Sequence, residues 1–385
     1  MTASPILIST AIGPDFLHGI GSAEFGPNGT SLHRLPAWAR AQCPDPQLLL
    51  AEGQPSGMRL VLVTTATIIE LDTRPTKRLY TGLPPRPDGI YDLCIDGELV
   101  RQATAKGGNT LEIDTTTWSH RLVEGGPATV RFEGLPPGSK TVEIWLPHDE
   151  TTELLGLRSD APLEPMAAPK RRVWVHYGSS ISQGSNATNP TRIWPAIAAR
   201  RAGVSLTNLG FGGSALLDPF VARTIRDMPA DAISIKLGIN LVNLDLMRLR
   251  AFGPAVHGFL DTIRDGHPTT PLLVVSPIFC PIHEETPGPG TADFSTGQPR
   301  FRATGNPADV AAGKLTLKVI REALQQIVTQ RQATDPAIHY LDGCELYGPE
   351  DHADLPLPDD LHPDAATHRL IGERFATRGL ARLVG

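Results

Sequence analysis

Near residue 160 the hydrophobic pattern changes period, and that change constrains the fold more than any other feature of the chain. Before it, short β-rich runs at 59–65, 67–71, 91–95, 110–113, 129–133 and 140–146 are separated by turn signals. The turns include Asp96-Gly97, Gly107-Gly108, Gly125-Gly126-Pro127 and Pro136-Pro137-Gly138. Short strands broken at such spacing by Gly and Pro argue for a β-sandwich. Alternation is clearest in Thr141-Val142-Glu143-Ile144-Trp145-Leu146, where one face would be buried. Trp118 and Trp145 read as core side chains rather than sugar platforms.

Beyond it, strands and helices alternate. Strands are expected at 172–177, 204–209, 232–237, 271–275 and 338–341, with helices at 193–202, 248–265, 307–332 and 365–380. Such alternation builds a parallel sheet covered by helices on both faces, an α/β fold whose ligands bind beyond the C-terminal strand ends. The chain's 385 residues suit two domains. The expected division is a jelly-roll-like, carbohydrate-binding-like β-sandwich over 1–158, a linker over 159–170 carrying Pro162, Pro165 and Pro169, and an α/β domain over 171–385. The segment 277–306 is long, irregular and rich in Gly and Pro, and its place after the fourth strand suits an active-site lid; a surface insertion is the alternative.

Composition narrows the function classes. A net charge of -6 provides no basic face for nucleic acid. Cys43, Cys94, Cys280 and Cys344 lie far apart without a CxxC, so neither a disulfide framework nor a zinc site is expected and a reducing compartment fits. Met1-Thr2-Ala3-Ser4-Pro5 does not open a signal peptide, and no apolar run approaches the ~18 residues of a membrane span. The expectation is a cytoplasmic protein without membrane or nucleic-acid partners. Its oligomeric state is not legible.

The chemistry-bearing residues fall at strand ends. Ser180 follows Val173-Trp174-Val175-His176-Tyr177 and a Gly178-Ser179 turn, where a serine would be exposed for activation by a histidine; Ser179, Ser180 and Ser182 could equally cap a helix. Asn208-Leu209-Gly210-Phe211-Gly212-Gly213-Ser214-Ala215 follows the second strand, and its glycines could bring backbone N–H groups to an oxyanion. Gly210, Gly212 and Ala215 also fit a relaxed dinucleotide fingerprint, but that reading needs the first strand of the domain and an acid ending the next. Asn240, after the third strand, could donate to the same oxyanion or form a turn. Asp359 stands three residues before His362, a spacing that lets a carboxylate reach Nδ1 and leaves Nε2 for a serine. Asp354, Asp359, Asp360 and Asp364 also read as a solvated acidic loop, and a metal site built on His352 and His362 lacks ordinary ligand spacing.

Taken in order, Gly178-Ser179-Ser180, Gly213, Asn240 and Asp359…His362 resemble the blocks of the SGNH (GDSL-type) hydrolase superfamily over about 215 C-terminal residues. The resemblance implies an SGNH-type three-layer α/β/α catalytic domain. It also implies Ser180 as nucleophile, His362 as base and Asp359 as its orienter, with Ser180 N–H, Gly213 N–H and the Asn240 amide as oxyanion hole. One departure is the Gly-Ser-Ser that stands where Gly-Asp-Ser is usual, a form completed here by Ser182-Gln183-Gly184.

The whole-chain layout is similar to a narrower GDSL-type group, the salicylyl acyltransferases of tetracycline biosynthesis. That likeness implies a small-molecule acyl donor, acyl-CoA as co-substrate with no other cofactor and no metal, and an alcohol acceptor on a glycosylated polyketide-type product. A GDSL-type esterase or carbohydrate deacetylase is the alternative, and a glycoconjugate-binding module with a degenerate hydrolase domain is a third reading.

Overall fold

The computed structural model describes residues 6–384 except 28, 44, 115–116, 118, 167–170 and 294–298. The chain separates into two compact units. The first comprises Met1–Arg34, Glu52–Lys170 and Asn189–Thr191; the second comprises Leu35–Ala51, Arg171–Thr188 and Arg192–Gly385.

In the first unit, strands form two sheets. One runs His120–Val123, Asn109–Ile113, Ile68–Tyr80, Thr151–Ser159, Gly29–His33, Ser22–Gly26, with Ala128–Glu133 on Ile68–Tyr80 and Ile8–Thr10 on Thr151–Ser159. The other runs Leu163–Pro165, Arg59–Thr64, Lys140–Trp145, Ile90–Ile95, Glu98–Thr104, with Leu17–His18 on Arg59–Thr64. Pairing is antiparallel throughout except between Ile68–Tyr80 and Asn109–Ile113. Alternation sorts the side chains as the period of two requires: in Ala128–Glu133 every second residue is buried. Leu60, Leu62, Val142 and Ile144 of one sheet share a single core with Ile69, Leu71, Val130 and Phe132 of the other. Trp145 is buried and donates to Glu143 Oε2 at 2.8 Å, whereas Trp118 lies outside the described residues.

Local pattern missed several of these elements. Ile68–Tyr80 runs far past the expected end at 71, and Thr151–Ser159 carries a register shift between Leu154 and Gly156 that blurs its alternation. Leu163–Pro165, inside the proline-rich 159–170 segment, is an edge strand on Arg59–Thr64, the place where a sheet tolerates proline. Buried Asp92 gathers Asn189–Thr191 into this unit, accepting from Asn189 Nδ2 at 2.6 Å, Thr191 N at 2.9 Å and Thr191 Oγ1 at 2.7 Å.

The second unit is built on β1 (Val173–Gly178), β2 (Ser205–Gly210), β3 (Ala232–Lys236), β4 (Leu272–Val275), the hairpin strands β5 (Gly290–Asp293) and β6 (Arg300–Ala303), and β7 (Ile338–Leu341). Its helices are α1 (Ser180–Gln183), α2 (Trp194–Ala202), α3 (Pro219–Asp227), α4 (Ile239–Asn243), α5 (Leu249–Gly266), α6 (Leu317–Arg331) and α7 (Ala365–Phe375). The main sheet has the order β2-β1-β3-β4-β7 and is parallel throughout. Strands buried on both faces read as near-continuous apolar runs, as in Leu272–Val275.

The chain steps from β1 to one neighbour, then crosses to the other. Open parallel sheets bind ligands at such a reversal, which here falls at the C-terminal ends of β1 and β3. The expected 307–332 helix is broken: a 3-10 turn, Pro307–Ala312, ends at Gly313 (φ 87), and α6 restarts where Thr316 caps Val319 N–H at 3.2 Å. No helix of the described residues is long and apolar enough to cross a membrane.

Candidate active site

Ser180 opens α1, directly beyond β1. The turn is tight: a Cβ on Gly178 would lie 2.3 Å from Ser182 Oγ, so glycine is needed where the strand meets the helix. The serines do not cap α1. Ser182 Oγ instead meets His176 Nε2 at 2.8 Å, and Nδ1 of the same ring meets Ser234 Oγ at 2.7 Å. Burial pushes the His176 imidazole down to about 3, and the nearby Lys236 ammonium adds to the fall. His176 therefore stays neutral and fastens α1 to the sheet. Ser179, at the usual aspartate position, is buried, and its hydroxyl has no hydrogen-bond partner among the described residues.

The proton path begins at His362, whose Nε2 lies 2.9 Å from Ser180 Oγ. His362 Nδ1 lies 2.9 Å from Asp359 Oδ2. An ionised carboxylate can only accept, so Nδ1 holds the proton and Nε2 offers its lone pair to the serine hydroxyl. Asp359 Oδ1 accepts the N–H groups of Leu361 at 3.0 Å and His362 at 2.6 Å, while Oδ2 also accepts from Asn186 Nδ2 at 3.1 Å. Burial alone would raise this carboxyl. The hydrogen bonds and charge of His362, with Asn186, outweigh it and hold the group below the ordinary carboxylate range.

The acidic crowd around it resolves by partner. Asp360 pairs with Arg300 at 2.7 Å, Asp364 caps α7 by accepting Thr367 N–H at 2.9 Å, and Asp354 ends the helix Pro349–Asp354.

Gly213 and Asn240 arrive from the ends of β2 and β3. Gly213 has φ 74, a conformation that favours glycine. The preceding peptide is clamped on both sides: Gly212 N–H donates to Gln183 Oε1 at 2.7 Å, and Gly212 C=O accepts from Gln47 Nε2 at 2.8 Å. Asn240 Oδ1 accepts Ala215 N–H at 3.1 Å, which leaves the NH2 of that amide to donate. Among the described residues, Ser180 N–H and Gly213 N–H have no backbone acceptor. Gly210 serves packing: a Cβ there would lie 2.4 Å from Gln183 N, so the glycines that also fit a dinucleotide fingerprint let β2 close on α1.

The expected Ser180, His362 and Asp359 are thus in one hydrogen-bonded line. Gln47, Gln183, Asn186, Arg300 and Phe301 surround it without having been singled out. Gln183 lay within the quoted Ser182-Gln183-Gly184 form; the others carry no local signal.

With three strand ends supplying serine, glycine and asparagine in order, the segment can be placed. Residues 170–280 match the GDSL-like lipase/acylhydrolase family. This GDSL-like segment contains Ser180, Gly213 and Asn240, and ends before Asp359 and His362. Among solved structures, the chain is similar to salicylyl-acyltransferase SsfX3 from a tetracycline biosynthetic pathway, with 29% identity, 100% of this chain and 99% of that one covered, and a TM-score of 0.81. A protein described as a GDSL-like lipase from Bacteroides ovatus aligns with 18% identity, coverages of 99% and 98%, and a TM-score of 0.70. A family two carbohydrate esterase from Clostridium thermocellum shares the fold at 15% identity, coverages of 99% and 100%, and a TM-score of 0.59. No curated protein matches the chain in sequence.

Proposed function

We propose that the chain is a serine-dependent acyltransferase. Ser180 would take an aryl, salicylyl-like acyl group from a coenzyme A thioester and pass it to a hydroxyl of a glycosylated polyketide-type natural product. The observation that carries this reading is the end-to-end likeness to salicylyl-acyltransferase SsfX3, at 29% identity over 100% of this chain. The first unit is read with it as a jelly-roll-like β-sandwich whose two sheets enclose the shared core.

The chemistry follows from the hydrogen-bonded line. His362 Nε2 removes the Ser180 hydroxyl proton as Oγ attacks the thioester carbonyl. Charge on the tetrahedral oxygen is met by Ser180 N–H, Gly213 N–H and the Asn240 NH2, each contributing roughly 3 kcal/mol to transition-state stabilisation. Collapse breaks the C–S bond, and His362 Nε2 gives its proton to the departing thiolate, so a neutral thiol leaves and the imidazole is again a free base. The acceptor hydroxyl then loses its proton to His362, attacks the acyl-serine, and Ser180 recovers the proton as the new ester departs. Asp359 keeps the imidazole in the competent tautomer and stabilises its charged form.

The family match to lipases and acylhydrolases favours a second reading, in which water takes the acceptor's place and the chain is an esterase. Intact-protein mass spectrometry after incubation with acyl-CoA thioesters and p-nitrophenyl esters separates the two. A transferase gives an adduct on Ser180 that persists in water and discharges onto an added glycosylated alcohol. Rapid discharge in water alone would identify an esterase, and the lack of any adduct, in a panel that includes salicylyl-CoA, would overturn the nucleophile assignment.

A further inference from the structure

The hairpin β5–β6 grips the loop that carries the base. Arg300 Nε lies 2.7 Å from Asp360 Oδ2, Nη2 donates to Asp360 Oδ1 at 3.0 Å, and Nη1 donates to the Pro358 carbonyl at 3.0 Å. The next residue, Phe301, donates its N–H to the Asp359 carbonyl at 2.9 Å. Its ring stands edge-on to the His362 imidazole, centroids 5.3 Å apart and planes at 77°. Two successive hairpin residues therefore hold 358, 359, 360 and 362.

This grip falls where the loop has most freedom to lose. Asp360 occupies the left-handed region at φ 68, a conformation an aspartate adopts less readily than glycine. That turn brings the Leu361 and His362 N–H groups back onto Asp359 Oδ1. The Nδ1 bond to Asp359 fixes one edge of the imidazole but leaves it able to swing about the bond from Nδ1 to the carboxylate. An aromatic ring at right angles restricts that swing. Arg300 is half exposed, so its ion pair adds little to global stability. Its bidentate geometry instead contributes direction, and a displacement of about 1 Å in a catalytic group can cost on the order of 100-fold in rate.

We infer that Arg300 and Phe301 are positioning residues: the β5–β6 hairpin sets the aim of His362 Nε2 at Ser180 Oγ, so the base is competent only while the hairpin is docked. The inference rests on the reading of Ser180 as nucleophile. It gives Arg300 and Phe301, within a segment read from sequence as a lid, a role in proton transfer.

The test compares the full-length protein with Arg300→Ala, Arg300→Lys and Phe301→Leu. Acylation of Ser180 by p-nitrophenyl acetate is followed by burst kinetics, with melting temperature and the low-field proton NMR resonance of the His362 Nδ1–H measured alongside. Arg300→Ala and Phe301→Leu are each expected to slow acylation by about 10- to 100-fold with KM within about twofold. The low-field resonance should broaden or move while the melting temperature changes little, and Arg300→Lys should recover part of the rate. Unchanged acylation with an unchanged resonance would overturn the inference, as would a loss confined to KM or one that tracks unfolding. Were the wild-type protein not acylated at all, the nucleophile reading would fail on its own. The resonance would still judge the hairpin, because an undisturbed signal in Arg300→Ala and Phe301→Leu would overturn its positioning role.

Discussion

Asp359 holds His362 twice, accepting the Nδ1–H on Oδ2 at 2.9 Å and the backbone N–H of the same residue on Oδ1 at 2.6 Å. One carboxylate thereby fixes both the tautomer of the imidazole and the turn from which it projects. The three-residue spacing makes this local chelation possible.

Ser180→Ala and His362→Ala are each expected to abolish acyl transfer while leaving the fold intact, because neither side chain is part of the buried core. Asp359→Asn should keep more activity, since nucleophile and base remain. Its cost should appear also in stability, by about 1–3 kcal/mol, because an amide NH2 would face donors already committed to the carboxylate. Denaturant melts alongside initial rates check this; complete loss of activity with wild-type stability would count against an orienting role.

Asn240→Ala should lower the acylation rate by roughly 100- to 1,000-fold, the usual consequence of removing an oxyanion donor. The Ala215 N–H loses its acceptor in the same variant, so Asn240→Asp is the companion: it keeps the acceptor oxygen and removes the donor. Equal acylation rates in Asn240→Asp and wild type would remove Asn240 from the oxyanion hole.

Ser179→Ala should be close to neutral or mildly stabilising, because the lost hydroxyl is buried without a partner among the described residues. Ser179→Asp, which restores the more usual residue, should destabilise by burying a charge with no donor in place. Thermal melts at pH 7 decide it. A stabilised Ser179→Asp would mean that the site can supply donors to a carboxylate.

His176 makes stability fall on acidification. Its folded value of about 3 lies below the ordinary 6.5, so between those limits the unfolded chain binds a proton that the folded chain refuses. The stabilisation present above pH 6.5 is therefore lost progressively as pH falls toward 3. Unfolding free energies at pH 7 and pH 5, a window above the depressed titration of Asp359, should differ more in wild type than in His176→Gln. Parallel slopes in the two proteins would assign the acid sensitivity elsewhere.

What the sequence determined by itself was what short-range physics can encode. The parallel-sheet strands lay within a residue or two of their expected places because buried apolar runs between helical periods have few alternatives, as in Leu272–Val275. The order of serine, glycine, asparagine and histidine at successive loop positions was legible for the same reason, since each sits where a strand or a turn ends. The Asp359–His362 pairing was legible because three residues close it locally.

Tertiary structure alone decided which side chains support that line. Ser180 and His362 meet across 182 residues, and the Gln47 that clamps Gly212 lies 165 residues before it. Arg300 and Phe301 sit in a Gly/Pro-rich stretch with no period to read, and the Asp360 they help to hold looked like one more solvated acid. The inclusion of Leu35–Ala51 in the second unit is of the same kind. Periodicity reports which face of an element is buried, whereas the partner that buries it is chosen by the path of the whole chain.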